Sequence, residues 1–123
     1  MNNTKTWYIV SGILVVVAGL LAYPRLAPAQ HDTFAECLEE KGATFYGAFW
    51  CPHCEEQKRI FGKSAAKLPY VECSTPDRKG QLAVCNEAEI QSYPTWEFED
   101  GSRKTGVLPL AQLSSITGCP LSE

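Results

Sequence analysis

The chain has 123 residues, a length that suits one domain, with 11 basic and 14 acidic side chains for a formal net charge of −3. From residue 31 onward nine basic residues stand against fourteen acidic ones, and the lysines and arginines are scattered, so no nucleic-acid partner is expected. Six cysteines in so short a chain suit an oxidising compartment.

Residues 7–23 carry no charge and predict an N-terminal transmembrane helix, with Trp7 and Tyr23 as interfacial anchors. Lys5 precedes the run, Arg25 follows it, and no acid occurs before Asp32, so the charge bias toward a cytoplasmic N-terminus is slight. A signal peptide competes, because Ala27-Pro28-Ala29 is a small-x-small site whose cleavage near Ala29 would secrete the remainder. The apolar run is longer than a usual signal core, and Lys5 with the terminal amine makes a thin n-region, which favours an uncleaved anchor. Either way the rest of the chain is extracytoplasmic, on the periplasmic or cell-surface side. The expected organisation is a membrane segment over 1–23, a semi-rigid spacer over 24–32 containing Pro24 and Pro28, and a domain over 33–123.

In the domain, Thr33 with Glu36 matches a capping box that opens a helix over 34–41, ended by Gly42. Residues 43–50 (ATFYGAFW) read as a buried strand, and Pro52 opens a helix to about Lys67. Residues 70–73 form a short strand, 74–80 a polar loop, and 82–90 a helix. Thr95 to Glu99 alternates as a half-buried strand, Asp100-Gly101 signals a hairpin, and 103–107 returns. A last helix runs over 109–117, with Gly118 after it.

The chemistry concentrates at Cys51-Pro52-His53-Cys54, between the first strand and the helix that follows it. Two cysteines two residues apart at a helix N-terminus make a redox dithiol: unpaired N–H groups and the positive dipole end favour the attacking thiolate. Cys51 is expected to be the exposed thiol that attacks, and Cys54, one turn further in, the one that resolves. Three other readings of the motif are weaker. A zinc ribbon needs a second close pair, whereas Cys73 and Cys85 are twelve apart; a c-type haem site needs His where Glu55 stands. An inert bridge would close almost no loop and stabilise little. No metal and no cofactor are therefore expected. His53 can lend a hydrogen bond or positive charge to the Cys51 thiolate, or simply face solvent. The remaining Cys37, Cys73, Cys85 and Cys119 allow three pairings, and the residues alone do not choose among them.

The strand–CxxC–helix unit, followed by Tyr93-Pro94-Thr95 at the start of a hairpin, resembles thioredoxin-like proteins. The likeness is greatest to the thioredoxin-like domain fused to bacterial homologues of vitamin K epoxide reductase. It is carried by Tyr46-Gly47-Ala48-Phe49-Trp50-Cys51-Pro52-His53-Cys54, Tyr70-Val71-Glu72-Cys73 and Tyr93-Pro94-Thr95-Trp96, and covers roughly 34–118. The resemblance implies an α/β thioredoxin-like fold with a central mixed sheet flanked by helices. It also implies a cis Pro94 facing the dithiol, with Tyr93 and Trp50 bordering an extended substrate. It implies a Cys73–Cys85 disulfide, and Cys37 and Cys119, near the first and last helices of the domain, could then meet on one face of the sheet. Pro52-His53 is the dipeptide of the strongly oxidising periplasmic thiol oxidant, while Phe45 stands where thioredoxin has a buried aspartate that assists substrate reduction.

These points favour a membrane-tethered protein thiol-disulfide oxidoreductase that oxidises the thiols of exported proteins. A reductase of the same compartment and a disulfide-stapled, non-catalytic binding module are the alternatives. The expected redox partner is a quinone-linked membrane oxidase of the vitamin K epoxide reductase type.

Overall fold

A computed structural model describes residues 3–26 and 29–121. Helix α1 (Asn3–Leu26) carries no charge over residues 7–23, and its large hydrophobic side chains there, Trp7 to Tyr23, are exposed. Its segment Asn3–Tyr23 has a mean hydropathy of 1.9 and the length of a membrane-crossing helix or an N-terminal signal sequence. The helix runs on past Pro24, where the spacer was expected to begin. Ala27 and Pro28 of the candidate cleavage site lie outside the described residues.

Seven elements build the sheet and its helices: α2 (Asp32–Glu40), β1 (Thr44–Gly47), α3 (Pro52–Phe61), β2 (Tyr70–Glu72), α4 (Ala83–Glu87), β3 (Thr95–Glu97) and β4 (Arg103–Thr105); α5 (Leu110–Thr117) closes the domain. The sheet order is β2-β1-β3-β4. Strand β1 pairs parallel with β2, Phe45 opposite Tyr70, and antiparallel with β3, Phe45 opposite Trp96; β3 and β4 form an antiparallel hairpin. This mixed sheet flanked by helices is the thioredoxin-like α/β arrangement.

The core forms where the apolar faces of these elements meet. Phe34, Ala35 and Leu38 recur at helical spacing on α2 and are fully buried. Phe34 stacks on Phe61 at 5.9 Å, and Phe45 stacks on Trp96 at 4.8 Å while meeting Tyr70 edge-on at 5.2 Å. Gln57 is polar yet fully buried, and both ends of its amide are hydrogen-bonded. It donates to Leu108 O and accepts from Trp96 Nε1 and Leu108 N, which pins α3 to the segment before α5.

Several predicted boundaries shift for local reasons. Helix α2 starts at Asp32, because Ala35 N already bonds His31 O; Thr33 is inside the first turn and makes no capping box. Glu36 pairs with Lys67 instead, which also approaches Asp32 at 3.4 Å. The predicted helix over 52–67 stops being α-helical at Phe61, since Gly62 takes φ 58°, and continues as a 3₁₀ stretch to Lys67. Strand β1 ends at Gly47 rather than Trp50, because the chain must turn there to present the cysteines. The hairpin strands and α4 are likewise shorter than predicted.

Candidate active site

Cys51 is the N-cap of α3 and Pro52 its first helical residue, where the missing N–H costs nothing. A turn closed by Cys51 N donating to Ala48 O at 3.0 Å delivers the chain from β1 into this position. Cys51 thus sits among the unpaired N–H groups of the helix start. Its expected exposure needs correction: Cys51 is only 6% exposed, because the segment ending β1 and the loop before β3 close over it. Its Sγ lies 3.7 Å from the carbonyl oxygen of Tyr93, and the Tyr93–Pro94 bond is cis, with Pro94 fully buried.

Cys54, one turn further along, is fully buried. Burial pushes its thiol up to about 12, opposed by the Ala48 backbone and the Lys58 charge and reinforced by Cys51. Gly47 makes this packing possible. A Cβ there would come within 2.8 Å of Tyr70 Cε2 and 3.0 Å of Cys54 Sγ, so any side chain would displace the ring or the sulfur.

His53 is 71% exposed, with Nδ1 3.9 Å from Glu56 Oε2. It makes no hydrogen bond to Cys51. Trp50 donates its indole N–H to Ser74 Oγ at 2.7 Å and meets Tyr93 edge-on at 6.2 Å. Phe49 and Trp50 remain 40% and 42% exposed, and Arg78 lies over the Phe49 ring at 5.3 Å. This aromatic rim borders Cys51. Both other cysteine pairs are joined, Cys37–Cys119 with Cα atoms 5.8 Å apart and Cys73–Cys85 at 5.5 Å. Among the described residues no group of three His, Cys, Asp or Glu side chains gathers to hold a metal.

Sequence reasoning missed Glu72. Its carboxylate accepts from Phe49 N at 3.2 Å, Ser74 N at 2.9 Å and the Tyr70 hydroxyl at 2.7 Å. Burial, then this bond to Glu72, hold the Tyr70 hydroxyl protonated well above its ordinary range. Together with the Trp50–Ser74 bond, Glu72 fixes both residues that lead into Cys51. The one signal in the sequence was an acid inside an otherwise apolar strand, directly beside Cys73.

A near-buried thiol at a helix N-cap, a second thiol one turn behind it and a carbonyl aimed at the first sulfur are competent for thiol–disulfide exchange. No protein-family model matches the chain. The chain is 47% identical over 94 residues to thiol-disulfide oxidoreductase LTO1 of Arabidopsis thaliana, across 72% of this chain and 24% of that protein. It is 31% identical over 71 residues to protein disulfide-isomerase 5-1 of the same plant, across 53% of this chain and 49% of that protein. It therefore spans about a quarter and about half of these two relatives. The crystal structure of oxidised thioredoxin O2 from Arabidopsis thaliana overlays with a TM-score of 0.39 at 15% identity, covering 77% of this chain and 92% of that one.

Proposed function

We propose that this chain is a membrane-tethered, extracytoplasmic member of the thioredoxin-like proteins, and that it oxidises the cysteines of exported proteins through its Cys51–Cys54 pair. The observation that carries the reading is the N-cap Cys51 facing the Tyr93 carbonyl, with Cys54 buried one turn behind. Similarity to a thiol-disulfide oxidoreductase and a protein disulfide-isomerase supports the same chemistry.

In the oxidising direction a client thiolate attacks Cys51 Sγ of the disulfide. The Cys51–Cys54 bond breaks, its electron pair leaves on Cys54, and Cys54 takes up a proton. A second client thiolate then attacks the client sulfur of the mixed disulfide, and Cys51 departs as a thiolate. The client loses two electrons and the dithiol gains them. Phe49, Trp50 and Tyr93 form an apolar rim against which an extended client segment could lie. Phe45, sealed between Tyr70 and Trp96, puts no carboxylate at that point in the core, which sets the site apart from a thioredoxin-like reductase.

The apolar α1 and the two disulfides support an exported domain held at a membrane by an anchor or delivered by a signal sequence. Re-oxidation then needs an electron acceptor, and a quinone-linked membrane oxidase of the vitamin K epoxide reductase type suits a tethered dithiol, because tethering raises the effective concentration of Cys51 at the membrane surface.

Cys51→Ser should abolish exchange, whereas Cys54→Ser should accumulate mixed disulfides with clients in non-reducing gels. Trapping by Cys51→Ser alone would reverse the two roles. Reduced protein mixed with such an oxidase and quinone in membranes should regain the Cys51–Cys54 disulfide. Failure there, with efficient reduction by a membrane thiol reductase, would assign the reductive pathway instead.

A further inference from the structure

Every exchange at this site passes a negative charge through the Cys54 sulfur. In one direction the electron pair of the broken disulfide leaves on Cys54; in the other the Cys54 thiol gives up its proton before attacking Cys51. That sulfur is fully buried, and burial pushes its thiol up to about 12, so a bare thiolate there is costly. The core beneath supplies no charge, since Phe45 is packed between two aromatic rings.

A cation lies on the right face. Lys58 follows Cys54 by four residues on α3, so both project from one side of the helix. The Lys58 side chain is only 26% exposed, and its Nζ stands 4.0 Å above the Tyr70 ring instead of reaching into solvent. That same ring and Cys54 Sγ both border Gly47, where an added Cβ would meet them at 2.8 and 3.0 Å, so the ring under the ammonium lies in the same neighbourhood as the sulfur, and the Lys58 charge favours the Cys54 thiolate. Two acids stand nearby. Glu72 is engaged by three hydrogen bonds, and Glu55, 3.4 Å from Nζ, is half exposed and screened by water. The remaining titratable groups facing Cys54 are Cys51 and the hydroxyl of Tyr70.

We propose that Lys58 is the positive charge that stabilises the Cys54 thiolate in transit, and so accelerates both formation and transfer of the Cys51–Cys54 disulfide. This rests on the exchange activity proposed above. It also makes a distinctive demand. At neutral pH Cys54 is uncharged at both stable ends of the reaction, bonded in the disulfide or protonated as the thiol. Lys58 therefore lowers the barrier from both sides and leaves the equilibrium where it was.

The test is single-turnover oxidation of a dithiol peptide by the oxidised full-length protein, together with the reverse reaction and the equilibrium against glutathione. Lys58→Met keeps the stem over Tyr70 and removes the charge. It should slow both directions near pH 8 by about threefold, the net effect of one pKa unit on that sulfur once the opposing change in nucleophilicity is counted, with the glutathione equilibrium unmoved. Lys58→Arg should retain the wild-type rate. A wild-type rate in Lys58→Met would overturn the proposal, as would an equal deficit in Lys58→Arg, which would mark a packing role. If the wild-type protein exchanges with no dithiol at any pH, the exchange function itself fails and this role falls with it.

Discussion

The two structural disulfides differ in how far they reach and in what they touch. Cys37–Cys119 spans 82 residues and ties α2 to the segment after α5, inside the core that holds Phe34, Leu38 and Leu113. Cys73–Cys85 spans 12 residues and belongs to a smaller cluster with Tyr46 and Ile90. Cys73 lies between Glu72 and Ser74, the residues that hold Phe49 and Trp50 just before the dithiol. Tyr93, whose carbonyl meets Cys51, packs against both clusters. One kind of bond thus serves two ends: the long bridge restrains the whole chain, and the short one restrains the approach to the site.

That contrast can be broken by experiment. The largest loss of stability is expected from Cys37→Ala with Cys119→Ala, about 4.5 kcal/mol on the loop-entropy model. Denaturant unfolding should read this loss, while the exchange rate of the folded fraction stays at wild type. Cys73→Ala with Cys85→Ala should lose less, about 3 kcal/mol. Yet it should slow exchange and change the Trp50 fluorescence, because Glu72 and Ser74 are no longer held. Equal exchange rates in the two double variants would erase the distinction between global and local staples.

Glu72→Gln sharpens it further. Replacing a charged acceptor of three hydrogen bonds should cost about 2 kcal/mol and reproduce part of the exchange defect with both disulfides intact. Trp50→Phe, which loses only the bond to Ser74 Oγ, should cost about 1 kcal/mol and weaken exchange modestly. The smallest effect at neutral pH comes from Cys54 itself. Burial raises its pKa from 9.0 to about 12, so the folded reduced protein favours the neutral thiol. The unfolded chain ionises first, and the stability of the reduced form is whole below pH 9 and falls as the pH climbs toward 12. The oxidised protein has no Cys54 thiol to titrate and should lack this decline, which paired urea titrations of the two forms would read.

The active-site sequence was legible because its signals are local. Cys51, Pro52 and Cys54 announce a helix start and a dithiol within four residues, and Asp100-Gly101 marks a hairpin at which Gly101 does take φ 78°. Strand and helix types followed from periodicity. Their ends did not, because Gly62, Thr33 and the turn at Ala48 to Trp50 are governed by what they pack against.

By itself the sequence determined the order of elements, an apolar N-terminal segment, and one closely spaced cysteine pair at a helix start, all of which depend on residues close together in the chain. Only the tertiary structure decided which of the four other cysteines meet, since pairing requires Cα atoms within a few ångströms across 82 or 12 residues. It likewise decided that Cys51 is nearly covered, that Glu72 holds the residues leading into it, and that Lys58 stands over Tyr70 beside Cys54. Those facts depend on the sheet order β2-β1-β3-β4, which brings β2 alongside β1 and so carries Tyr70 and Glu72 to the dithiol. Residues some twenty positions apart become neighbours there through backbone pairing, and no local pattern in the chain records that.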